Sequence, residues 1–173
     1  MPSSAFALAI AQHTPLGVWA LLAALVALGV VQSKARSVTV SRATVLPLVL
    51  LALSLWGVVS VFAQAEALIA WAAGVAAAVM LNLQWGGPRG ARWLAGEQRL
   101  HVPGSWLPMA LMLGIFCTKF AVGVSLAQQP GLKGTLGFAV AASLAYGLFS
   151  GVFLGRALVL WRETQGRAVA RAA

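Results

Sequence analysis

The chain has 173 residues, 61% of them hydrophobic and only 9% charged, with a formal net charge of +9. A soluble domain carries about 25% charged residues, so this composition excludes a water-facing globule. A basic excess in a soluble protein points to nucleic acid, but here the basic residues sit between long apolar runs, which points to a membrane protein with no nucleic-acid partner.

Each apolar run approaches the roughly 20 residues that a bilayer-spanning helix requires. In chain order the predicted spans are about 15–31, 43–63, 68–83, 107–127 and 135–158, and the whole chain, 1–173, reads as one transmembrane domain. The fold class is all-α: five transmembrane helices joined by short connections. The first is heralded by "HTP", with Thr14 as N-cap and Pro15 at the first helical position. The preceding "AFALAIA" has no basic flank, so it reads as a short interfacial helix and not as a cleaved signal. Pro108 opens the fourth span, and Pro130 in "QQPG" ends it. Trp85, Trp93, Trp106 and Trp161 fall at one set of helix ends and Trp19 and Trp71 at the other, as an interfacial belt does. Trp56 is the exception, near the middle of the second span.

The loops carry charge alternately. Lys34, Arg36 and Arg42 lie between spans one and two, Arg89, Arg92 and Arg99 between spans three and four, and Arg156, Arg162, Arg167 and Arg171 at the end of span five and in the tail. The other connections hold only Lys133. By the positive-inside rule the N-terminus faces outward and the C-terminus lies in the cytoplasm. "WGGPRGARWLAGEQRLHVPGSW" interleaves Arg with Trp. It reads first as topological charge, and it also suits contact with anionic lipid head groups at the cytoplasmic face. "GVVSVFAQ" and "AVGVSLAQ" close spans two and four in matching positions, which suggests a parallel repeat of two hairpins after the first helix.

Small residues mark the packing faces. Span five carries Ser143, Gly147, Gly151 and Gly155, each four apart, a ladder that lets another backbone approach closely. Span three offers Ala70, Gly74 and Ala78, and span four offers Ala110, Gly114 and Thr118. The ladder serves packing within one chain or against a second copy of it.

The one charged residue near the middle of a predicted span is Lys119, in "MLGIFCTKFAVGVSL". Tyr146, Ser54 and Trp56 fall at similar depth on other helices. The three carboxylates, Glu66, Glu97 and Glu163, all lie in loops or tail. A lysine at this depth needs a partner, a neutral form or a route to water. Three resolutions stand: a neutral amine, donation to Tyr146, Ser54 and backbone carbonyls with an aromatic ring beneath the cation, or a small anionic or neutral ligand. Snorkelling is the bland alternative. A retinal-bearing Schiff base is disfavoured by five spans and the missing counter-ion.

Other chemistry is sparse. His13 and His101 fall on opposite sides of the membrane and cannot share a metal or haem. Cys117 is the single cysteine and reads as packing. No HExxH, nucleophile elbow or carboxylate pair occurs, so no metal site, cofactor or catalytic residue is expected, and the chain does not read as an enzyme. "QHTP", "WALLAALVALGVVQSKARSV", "LPMALMLGIFCTKFAVGV" and "YGLFSGVFLGRAL" resemble an uncharacterised family, a domain of unknown function, of small proteobacterial integral membrane proteins. The resemblance implies a bacterial inner-membrane location. The sequence thus points to a small transporter or channel with a midplane site around Lys119, Tyr146, Ser54 and Trp56. The rival is an accessory or scaffold subunit that oligomerises through the glycine face of the fifth helix.

Overall fold

The computed structural model describes residues 15–34, 36–85, 92–94, 99–102 and 104–172. Five α-helices carry the architecture: α1 (Leu16–Ser33), α2 (Val40–Val61), α3 (Ala65–Trp85), α4 (Leu107–Gln128) and α5 (Leu136–Ala172). A 3-10 turn, Pro130–Gly134, joins α4 to α5. Of these helices, α3, α4 and residues Leu136–Arg162 of α5 are long and apolar enough to cross a membrane, while α1 and α2 contain shorter apolar stretches, Leu16–Val31 and Pro47–Val61. Length and composition therefore fit a membrane protein, with three helices long and apolar enough to cross a membrane and two whose apolar stretches are shorter.

The helix ends follow local chemistry. Pro15 is the N-cap of α1 and not its first helical residue, one position earlier in role than expected; Thr14 lies outside the described residues. Pro108 occupies the first turn of α4, where its missing N–H has no helical partner to lose. Pro47 sits inside α2 without ending it. The α2–α3 turn is tight, and Ala63 adopts φ 50 there, a left-handed conformation more often taken by glycine. The last helix runs well past residue 158, because "RETQGRAVARA" contains good helix formers and a single glycine, Gly166, whose cost is about 1 kcal/mol.

A small sheet was not foreseen. Strands β1 (Arg36–Thr39), β2 (Arg92–Leu94) and β3 (Arg99–Val102) pair antiparallel in the order β1-β3-β2. Ser37 and Arg92 both align with His101, and Val38 and Trp93 both align with Leu100. The β-branched "SVTV" suits an extended strand, but four residues are too few to announce one within a helix-rich chain. The sheet gathers the α1–α2 and α3–α4 connections at one end of the bundle. At the other end Gln64 Nε2 donates to the carbonyl of Lys133 at 3.3 Å, tying the α2–α3 turn to the α4–α5 connection.

The last helix, α5, is the hub: α3, α2 and α4 all pack on it, and α1 packs on α4. The tightest seam is α3 against α5. A Cβ added at Gly74 would lie 2.6 Å from the Leu144 carbonyl oxygen, and one at Gly151 would lie 2.6 Å from that of Val75. One at Gly147 would collide with the Trp71 carbonyl, and one at Gly155 would come 2.7 Å from the Asn82 Cβ. The small-residue ladder of α5 thus lies against Gly74, Val75 and Ala78 of α3 in the same chain. In an apolar solvent helices gain little from hiding hydrocarbon, and close backbone approach replaces that gain with dispersion contacts. Above the seam, Val58, Phe62, Ala67, Ala139, Ala142 and Tyr146 form one buried cluster, with Phe62 and Phe138 meeting edge to face at 6.2 Å. The packing gives the proposed hairpin repeat no support: α2 and α3 meet less closely than α3 and α5, and so do α4 and α5.

Candidate functional site

The site is built where three helices meet unevenly. Both α2 and α4 pack on α5 but scarcely touch one another, which leaves a groove between them with α5 as its floor. Tyr146 lies on that floor, 7% exposed. Lys119, in the central part of α4, reaches across the groove. Its Nζ stands over the Tyr146 ring, 5.0 Å from the centroid. It also approaches α2 so closely that a Cβ at Gly57 would lie 3.3 Å from it. Gly57 is therefore the residue that leaves room for the ammonium.

Beneath the cation runs a short polar chain. Trp71 Nε1 donates to Ser54 Oγ at 3.1 Å, and Ser54 Oγ donates to the Tyr146 carbonyl at 3.4 Å. The same carbonyl accepts from Ser150 Oγ at 2.9 Å. Ser54 is buried at 8% exposure, so the indole gives its hydroxyl a donor while the carbonyl takes its proton. Buried polar groups require such partners, because an unmade bond in an apolar medium leaves the full desolvation cost standing.

The four residues expected to share a midplane layer are placed unequally. Lys119 and Tyr146 meet directly. Ser54 joins them through the Tyr146 backbone and Trp71. Trp56 is 72% exposed, turned outward, and no contact with Lys119 is found. Trp71, read from sequence as part of the interfacial belt, is instead partly buried and hydrogen-bonded inside the bundle. Trp71 and Gly57 are the two contributors that sequence reasoning missed. A tryptophan nearly two turns into a helix looks the same whether it faces lipid or a serine, and a glycine gives no sign of which side chain approaches it.

Lys119 itself is exposed on the outer surface of the bundle. Among the described residues the ammonium has no carboxylate partner. Glu66 stands exposed at the start of α3, at the end of that helix and not at its middle. Cys117, two residues before Lys119, is also exposed. No group of three or more His, Cys, Asp or Glu able to hold a metal occurs among the described residues. His13 lies outside them, and His101 falls in β3.

A helical bundle in which three helices are long and apolar enough to cross a membrane, one of them carrying a lysine near its middle, is consistent with a membrane protein. More particularly, the chain belongs to the family of unknown function DUF6622, whose model matches residues 3–171. It matches no curated protein and no solved structure.

Proposed function

We propose that this protein is a small multi-pass transporter or channel of the bacterial inner membrane, with a ligand site at Lys119. The observation that carries this reading is the ammonium itself: it projects from mid-helix into a groove, rests on an aromatic ring and has no carboxylate partner among the described residues. A cation is costly in an apolar surrounding, and residues of this kind line pathways or bind ligands by default. The Tyr146 face and the Trp71–Ser54 chain support it by fixing the floor on which the lysine stands.

In this reading all five helices span, the two shorter ones with help from flanking polar residues. The end that carries the sheet, with the Lys34–Arg42 and Arg89–Arg99 segments, faces the cytoplasm, and its arginines meet anionic head groups. The ligand is an anion or a neutral hydrogen-bond acceptor. The protein does no covalent chemistry. The rival reading, an accessory subunit that oligomerises through the glycine face of the last helix, loses the surface it was built on, since α3 fills that face within one chain.

The test is solute passage in proteoliposomes. Wild-type protein should raise permeability to at least one member of a panel of organic anions above that of empty liposomes, and Lys119→Met should abolish the increase while the protein stays folded, with no more stability lost than the single contact with the Tyr146 ring supplies. Passage equal to that of empty liposomes for every anion would sink the reading.

A further inference from the structure

The Lys119 groove is open sideways, and that decides what can reach it. Lys119 is exposed, as are Leu53, one turn from Gly57 on α2, and Gly123, one turn from Lys119 on α4. A Cβ placed at Gly123 would meet nothing within 4 Å. The groove therefore has no wall on its outer side between α2 and α4. At mid-helix in an apolar span, the medium on that side is hydrocarbon.

The chemistry of arrival from hydrocarbon is selective. A small inorganic anion has to shed its hydration shell, at a cost of tens of kcal/mol in the idealised limit. A carboxylic acid with an apolar body does not, because its body partitions into hydrocarbon and its head group can travel un-ionised. Its worst position is the middle of the bilayer, where its carboxyl group finds no donor. Lys119 supplies one there: an ammonium–carboxylate pair and an amine–carboxylic acid pair both form a hydrogen bond. A second copy of this chain cannot fill the role. Its carboxylates are Glu66 at the start of α3, Glu97 in the α3–α4 connection and Glu163 in α5 just past the apolar stretch that ends at Arg162, so in sequence none falls in the middle of an apolar stretch.

We propose that the groove between α2 and α4 takes an amphiphilic carboxylic acid laterally from the membrane, with its carboxyl group on Lys119 Nζ and its apolar body along the exposed Leu53 of α2. This rests on Lys119 being a ligand site and narrows the ligand to a lipophilic weak acid. Gly57 is the α2 position that Lys119 Nζ approaches, 3.3 Å from where a Cβ would lie.

The experiment uses purified protein in phosphatidylcholine vesicles and quenching of its tryptophans by a terminally brominated long-chain carboxylic acid. Trp56, exposed and adjacent to Gly57, is the nearest reporter in sequence. The brominated alcohol of equal length is the neutral control, and acetate and chloride are soluble competitors. In wild type the acid should quench at about ten-fold lower concentration than the alcohol, the ratio expected of one charge-assisted hydrogen bond. Lys119→Met should bring the acid to the level of the alcohol, and Lys119→Arg should restore the difference. Equal quenching by acid and alcohol in wild type overturns the proposal, and so does an acid preference that survives in Lys119→Met. If anion passage through proteoliposomes depends on Lys119 while the brominated acid shows no preference, the ligand site stands and the amphiphile falls. If neither measurement depends on Lys119, both fall together.

Discussion

Lys119 Nζ on α4 lies 5.0 Å from the centroid of the Tyr146 ring on α5. This pairing joins the helix that carries the charge to the hub of the bundle. A cation over an aromatic face contributes about 0.5–1 kcal/mol at an exposed position. A double-mutant cycle with Lys119→Met and Tyr146→Leu should return a coupling of that size in detergent stability. Tyr146→Phe keeps the ring and should keep most of the coupling. A coupling of zero would mean that the ring is only a neighbour.

The α3–α5 seam makes a sharper prediction. Gly147→Ala places a methyl group against the Trp71 main chain, which cannot yield as a flexible side chain would. Gly123→Ala places the same methyl group in open space. The first should lower stability by about 2–3 kcal/mol, in the range for overpacked contacts, and the second should leave it unchanged or raise it slightly, since alanine favours the helix. Thermal unfolding of the two variants side by side decides it. Similar melting would show that the seam is looser than described.

Those two glycines show what a sequence can and cannot say. The helices were legible from apolar run lengths, because runs of about 20 apolar residues are rare in chains that fold in water. The ladder on α5 was legible as a packing face from its four-residue spacing alone. Its partner was not, since Ala70, Gly74 and Ala78 of α3 and Ala110, Gly114 and Thr118 of α4 are equally small. The latter stretch in fact receives a ring: a Cβ at Gly114 would lie 2.6 Å from Phe149 Cε1. Lys119 was legible as an anomaly from its charge. That it faces outward, with Gly57 opposite and Trp71 beneath, depends on helix rotations that no periodicity specifies when every face is apolar. The sheet escaped notice because its strands are only three or four residues long and β1 pairs with a strand far along the chain, Arg36 with Val102 and Thr39 with Arg99.

Ser143 carries a different cost. Its hydroxyl is fully buried in the α3–α5 seam and has no hydrogen-bond partner among the described residues. Leaving a hydroxyl unpaired in such a place costs about 1–3 kcal/mol. Ser143→Ala removes the hydroxyl with little change in volume and should stabilise the protein by about 1 kcal/mol. A drop in melting temperature would indicate that the hydroxyl is paired after all.

Orientation is open to chemical labelling. In a Cys117→Ala background, cysteine placed at Arg89 should react with membrane-impermeant maleimide only after the inner face is made accessible, whereas cysteine at Lys133 should react in intact cells. The motive is the alternation of basic connections, together with the β1–β3 pairing that holds two of them at one end. Labelling at position 89 from outside would reverse the assignment.

The hub position of α5 has a consequence for biogenesis. The helix that contacts α2, α3 and α4 comes after all of them in the chain. During synthesis the earlier helices are therefore complete before the surface that gathers them exists. At about 5–20 residues per second, α2 waits several seconds for its partner, with the Gly74 face of α3 uncovered throughout. Assembly then becomes a late event, set by the arrival of one helix. A nascent chain stalled before residue 136 would hold four helices without the one on which three of them gather.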